Sequence, residues 1–263
     1  MERLLTGYGL ADVQESTTAG GVRLLSAAVP PQDHDHIWRA LRADHGRTGW
    51  WPVLSWSARE AHRSTFDYPV EAQGTDALRR ALALDPVECF AELTRSRWEE
   101  RLADLEPAQR AEVWAEDYDA QALAGRLTRV TSPPPGRRRE TSAYPPGEVL
   151  LVPAAAGHEV PVLVPGLIEP ANWFGGPGHP DLEPADHLAV LRLWHERHAA
   201  DLYFANGSRL ELSVGRPPVE PVEVAQCAVE QFVYCGDLGQ LVGDPIDVAR
   251  KQVPAGHWSF WWD

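Results

Sequence analysis

Lysine is nearly missing from this chain. Of 24 basic residues, Lys251 is the only lysine and the other 23 are arginine, a bias that reads as codon usage rather than a device for binding phosphate. Acidic residues number 38, so the formal charge is −14. That balance excludes a sequence-independent nucleic-acid binder, which needs cations to displace counterions, and excludes docking on anionic membrane through a polybasic patch. The only basic run, Arg137-Arg138-Arg139, sits among prolines and reads as solvated linker charge. No apolar run reaches the ~18 residues of a transmembrane helix. Met1–Gly7 holds no long apolar core of a secretory signal. Cysteine is sparse and odd in number (Cys89, Cys227, Cys235), which suits reduced thiols, and the cytoplasm is the expected compartment. Neither a CxxC pair nor an HExxH is present, so no metal site is expected. A Walker sequence is absent too. Gly175-Gly176-Pro177-Gly178 does not lead a strand into a helix, so no phosphate cradle and no cofactor is expected.

What is present is enough to bury a real core: 263 residues, 44% of them hydrophobic, with 11 tryptophans. One boundary stands out. Residues 131–147 hold Pro133, Pro134, Pro135, Pro145 and Pro146, a density that blocks helix and ladder hydrogen bonds and reads as a linker. Residues 1–130 are expected to form one region and residues 148–263 an α+β domain. The acidity is uneven: residues 148–263 carry five Arg, one Lys and 16 acids, net −10, against net −4 for the rest.

Patterning predicts a β-α-β start: a strand at Val22–Val29, a helix at Ile37–His45 and a strand at Trp50–Trp56. Helices follow at Asp76–Leu84, Pro86–Leu105 and Pro107–Leu127, two of them opening on a proline that suits a first turn. In the second half a short strand is read at Val160–Pro165 and a helix at Pro184–Ala200. A hairpin is read around Asn206-Gly207, a helix at Pro221–Tyr234 and an aromatic final strand at His257–Asp263. The order β-α-β-β-α-β is that of the ferredoxin-like split βαβ; an irregular α+β layer is the alternative.

Several short motifs mark the second half: Trp194-His195-Glu196-Arg197-His198, Leu210-Glu211-Leu212, Arg216-Pro217-Pro218, Glu230-Gln231-Phe232-Val233-Tyr234-Cys235 with Asp237, and the ending Trp258-Ser259-Phe260-Trp261-Trp262-Asp263. Through them residues 148–263 resemble a bacterial family known as domain of unknown function 4253. The resemblance implies no activity and transfers no catalytic residue. Where the family has a glycine-then-tyrosine pattern after the Trp-His helix, this chain has Arg197-His198-Ala199-Ala200.

Candidate chemistry gathers on these motifs. His195, Cys235 and Asp237 have the types of a base, a nucleophile and an orienting acid, although a thiol at a helix C-terminus is poorly placed to ionise. Glu230 sits beside apolar helix positions, where burial can tune a carboxylate for acid–base work. Asp33-His34-Asp35-His36 reads as helix capping rather than metal binding. Trp258, Phe260 and Trp262 share one strand face and Trp261 the other. Core packing and a stacking surface both fit, the latter with Trp194, Trp258, Trp261 and Asp263 as binding residues. Two functions follow. One is a non-catalytic protein-binding module whose partner is basic, steered by the acidic charge. The other is a small-molecule hydrolase or transferase using His195 with Cys235 or Glu230.

Overall fold

Runs that are apolar at every position need cover on both sides, and Val149–Val152 and Val53–Leu54 find it at the centre of a sheet. The computed structural model describes residues 2–62, 73–127, 146–168 and 182–262. The first part contains α1 (Glu2–Gly7), β1 (Gln14–Thr17), β2 (Arg23–Ala28), α2 (His34–Ala43), α3 (His45–Thr48) and β3 (Trp51–Ser55). Helices α4 (Gly74–Ala81), α5 (Pro86–Leu102), α6 (Pro107–Val113) and α7 (Ala120–Arg126) follow. Then come β4 (Glu148–Val152), α8 (Val160–Leu163), α9 (Pro184–His198), β5 (Ala200–Ala205) and β6 (Arg209–Val214). The chain closes with α10 (Pro221–Tyr234), α11 (Leu238–Leu241), α12 (Pro245–Lys251) and β7 (His257–Trp261).

The architecture is α+β, built on one seven-stranded sheet of order β1-β2-β4-β3-β5-β6-β7. Among the described strands only β3 and β5 pair in parallel; every other pair is antiparallel. Strand β4 lies between β2 and β3, so strands from before and after the proline-rich segment share the sheet. That segment, residues 131–147, lies outside the described residues apart from its last two positions, 146 and 147.

From β4 to β7 the elements run strand, helices, strand, strand, helices, strand, with β4 rather than the expected Val160–Pro165 as the first strand, and the split βαβ sheet is not formed among the described strands. A split pair is parallel with one strand between. Here β4 is antiparallel to β3 and β3 is parallel to β5, so β4 and β5 run in opposite directions. The split unit is instead the N-terminal β2-α2-β3, opened by β4. The run read as the first strand of the second half, Val160–Pro165, forms α8 and a following 3₁₀ turn, Pro165–Ile168. A short apolar run buried on all sides carries no period that separates strand from helix. The single helix expected over Pro107–Leu127 is interrupted by a π turn at Trp114–Tyr118. Asp119 then takes extended backbone and caps α7 by accepting from the Gln121 and Ala122 N–H groups.

Side-chain alternation divides the core in two. Leu25, Ala27, Leu54, Val149, Leu151 and Phe204 face α1 and α2, where Leu5, Ile37, Trp38 and Leu41 cover them. Leu24, Val53, Leu150, Leu212 and Trp258 face the other way, against α5, α7, α9, α10 and α12. Gly157 matters to this second layer because a Cβ there would lie 2.6 Å from the Trp51 ring. The predicted hairpin forms with Gly207 at φ 77° and the Asn206 side chain accepting from Arg209 N–H.

Candidate functional site

Helix α9 opens with Pro184 in its first turn and a reciprocal cap between Glu183 and Asp186. Its inward residue, Trp194, is fully buried. The indole stacks on Phe260 at 5.3 Å and meets Tyr234 and Trp258 edge-on at 5.2 and 5.6 Å. The packing fixes the ring, so its N–H has one direction, and it donates to Glu230 Oε2 on α10 at 3.1 Å. The other carboxylate oxygen accepts from Arg197 at 2.8 Å and from Gln226 at 3.2 Å. A buried carboxylate is tolerated only when so satisfied. Glu230 thus ties the aromatic core to one wall of a cleft.

That cleft is about 580 Å³. Its polar side is Arg197, His198, Gln226 and Glu230, with Cys227 beneath. The opposite side is set by the end of α9. Ala199 takes left-handed backbone at φ 48°, the conformation in which a glycine more often ends a helix. The turn lets Gly215 N–H reach the Ala199 carbonyl at 3.1 Å and Arg216 N–H the His198 carbonyl at 2.8 Å. Arg216-Pro217-Pro218 is thereby laid beside the helix end, and the prolines, with fixed φ and no N–H, hold a rigid wall that Val219 and Val222 extend into solvent. Arg216 Nη2 donates to the Glu196 carbonyl at 2.9 Å. Burial, reinforced by Glu230, pushes the Cys227 thiol up, which disfavours its thiolate form.

A second polar cluster joins the two halves of the chain. Asp201, at the start of β5, accepts from His195 Nδ1 and from Arg42 Nε, each at 2.9 Å. The Arg42 guanidinium lies 4.2 Å over the Trp51 ring, a cation–π contact. His158 and His195 have ring centroids 5.5 Å apart. Among the described residues no group of three His, Cys, Asp or Glu side chains is arranged to hold a metal ion.

The candidate triad therefore does not assemble. His195 is held by Asp201. Cys235 is buried and donates its S–H to the Trp261 carbonyl at 3.1 Å, a bond made by the protonated thiol. Asp237 stands before α11 and accepts from Gln240. Glu230 is committed to Trp194, Arg197 and Gln226 rather than to His195. Of the proposed stacking residues, Trp194 and Trp258 are wholly buried and offer no face to a ligand. Trp261 is half-buried on the opposite face of β7, and Asp263 lies outside the described residues. Sequence reasoning quoted Arg197 and Arg216 as motif residues without assigning them to a site, and it missed Gln226, Asp201 and Arg42. A pairing such as Arg42 with Asp201, 159 positions apart, has no local signal.

The histidines give a prediction. Burial drives His187 down to about 3. His158 and His198 fall to about 4, through burial first and then the charges of His195 and Arg192 on the former and Arg197 on the latter. Below the ordinary value near 6.5, the unfolded chain takes up protons that these native imidazoles refuse, so stability is lost as pH falls from 6.5 to about 4. Asp186, raised to about 6 chiefly by burial, acts in the opposite sense, because the native state keeps its proton longer than the unfolded chain does. Three groups outweigh one. Urea midpoints at constant ionic strength should fall from pH 7 to pH 4; a flat or rising series would contradict this assignment.

Fold and site together define a mixed α/β protein with a ligand-sized cleft at the C-terminal end of α9. All the cleft-lining residues lie within residues 148–263. This C-terminal part, residues 148–263, matches the family model described as "Domain of unknown function (DUF4253)". No curated protein and no solved structure matches the chain. Among the described residues no helix is long and apolar enough to cross a membrane.

Proposed function

We propose that this protein is a non-catalytic binding module and that the cleft between α9 and the Arg216–Val222 segment is where it binds. One observation carries the reading. Three of the short motifs that mark the domain, Trp194–His198, Arg216-Pro217-Pro218 and the one that begins at Glu230, come from separate elements and meet at this cleft. Its volume is that of a small-ligand site, and its few polar groups stand against apolar walls, the usual division between orientation and affinity. His195 and Cys235, the groups read for a hydrolase or transferase, are engaged outside the cleft by Asp201 and the Trp261 carbonyl, and Glu230 within it is tied to Trp194, Arg197 and Gln226, which favours binding over turnover. The net −10 of the same half supports a basic protein partner on the outer surface, and loss of co-purification at high salt tests that separate proposal.

The cleft is tested by a thermal-shift screen of small molecules on the wild type and on Val222→Trp, which fills the cleft from an exposed position. A compound at about 100 times its Kd stabilises by about 2.7 kcal/mol, which raises Tm by several degrees. Such shifts should occur in the wild type and vanish in Val222→Trp. Equal shifts in both proteins would defeat the assignment.

A further inference from the structure

The cleft is electrostatically unlike the domain around it. Two of the five arginines of residues 148–263, Arg197 and Arg216, stand at its edge. They are held differently. Arg197 is neutralised by Glu230 and positioned by it. Arg216 gives one N–H to a neutral carbonyl, so its charge lacks a carboxylate partner among the described residues. The remaining cleft-lining acid, Glu223, is exposed on the first turn of α10. Next to Arg216 the wall turns apolar at once, through Pro217 and Pro218, to Val219 and Val222, whose exposures are 59% and 45%. A planar guanidinium with free donors beside an exposed apolar wall matches a molecule with an oxyanion at one end and hydrocarbon at the other.

Resting on the reading of the cleft as the binding site, we propose that its ligand is a small amphiphilic carboxylate, the carboxylate on Arg216 and the hydrocarbon along Pro217, Pro218, Val219 and Val222. A monoanion is favoured over a phosphate dianion because each further negative charge meets Glu223 at the rim and the net −10 of the domain. Burial and the neighbouring arginine charges keep His198 neutral at pH 7, so it adds no second cation. A cationic ligand would face Arg216 directly.

Isothermal titration of the full chain with octanoate, octyl phosphate and octylammonium tests this at low ionic strength. Octanoate should bind most tightly. Arg216→Gln should weaken it at least tenfold, Arg216→Lys less, and Val222→Ser a few-fold. Arg216 is exposed, so these variants should keep the wild-type circular dichroism and thermal transition. Octylammonium or octyl phosphate binding more tightly than octanoate would overturn the carboxylate assignment. If that binding is lost in Val222→Trp, the cleft survives as the site and only the ligand class falls. Octanoate affinity indifferent to Arg216→Gln, or no binding by any of the three, would also overturn the inference.

Discussion

A chain ending at His257 is expected to lose its cooperative thermal transition. β7 pairs with β6 through Leu212↔Trp258 and Leu210↔Phe260, and that pairing carries two fully buried aromatic rings into the larger core. Trp262 follows, almost as buried, with its backbone N–H on the Ser208 carbonyl. Trp258 adds an indole N–H to the Val253 carbonyl at 3.1 Å. Burying each large side chain contributes about 1.5–3 kcal/mol. Three of them approach the whole of a typical net stability of about 5–15 kcal/mol. The truncation also strips the edge from β6 and exposes the apolar faces of Leu210 and Leu212. Far-UV circular dichroism with a thermal scan reads the result. A sharp transition within a few degrees of the full chain would show β7 to be peripheral.

Replacing Trp194 with alanine should cost about 3–5 kcal/mol, the range for deleting a large aromatic from a packed core. Four rings lose their partner: Phe90, Tyr234, Trp258 and Phe260. The same substitution takes a hydrogen-bond donor from buried Glu230. Trp194→Phe separates the two effects. It keeps most of the packing and removes the N–H, so its cost should be nearer the ~1–3 kcal/mol of a lost bond to a buried group. Denaturant midpoints of the two variants give the comparison. A Trp194→Ala penalty below about 1 kcal/mol would mean that this indole does not organise the core.

The elements with strong local signals were legible in the sequence. α10 spans Pro221–Tyr234 as its proline and apolar spacing indicate, and Asn206-Gly207 makes its hairpin. The alternation of Leu210, Leu212 and Val214 placed one face of β6 in the core. The failures have a common physical cause. β4 and α8 are both short and apolar at nearly every position, so neither shows a period, and only their neighbours decide which becomes strand. The insertion of β4 between β2 and β3, and the parallel contact of β3 with β5, depend on pairings across most of the chain. Asp201 illustrates the same limit at the level of chemistry. Its neighbours in sequence say nothing of Arg42, yet Arg42 and His195 together determine what that carboxylate does. Glu230 was singled out by its position beside an apolar stripe. Its role as the anchor of Arg197 followed only once α9 and α10 lay side by side.

Backbone amide shifts of the ¹⁵N-labelled full chain, followed through a titration with octanoate, discriminate between the two polar clusters residue by residue. Perturbations should concentrate at Arg197, His198, Arg216, Val219, Val222 and Gln226. Perturbations centred on His158, His195 and Asp201, with the cleft unmoved, would contradict the cleft as the binding site.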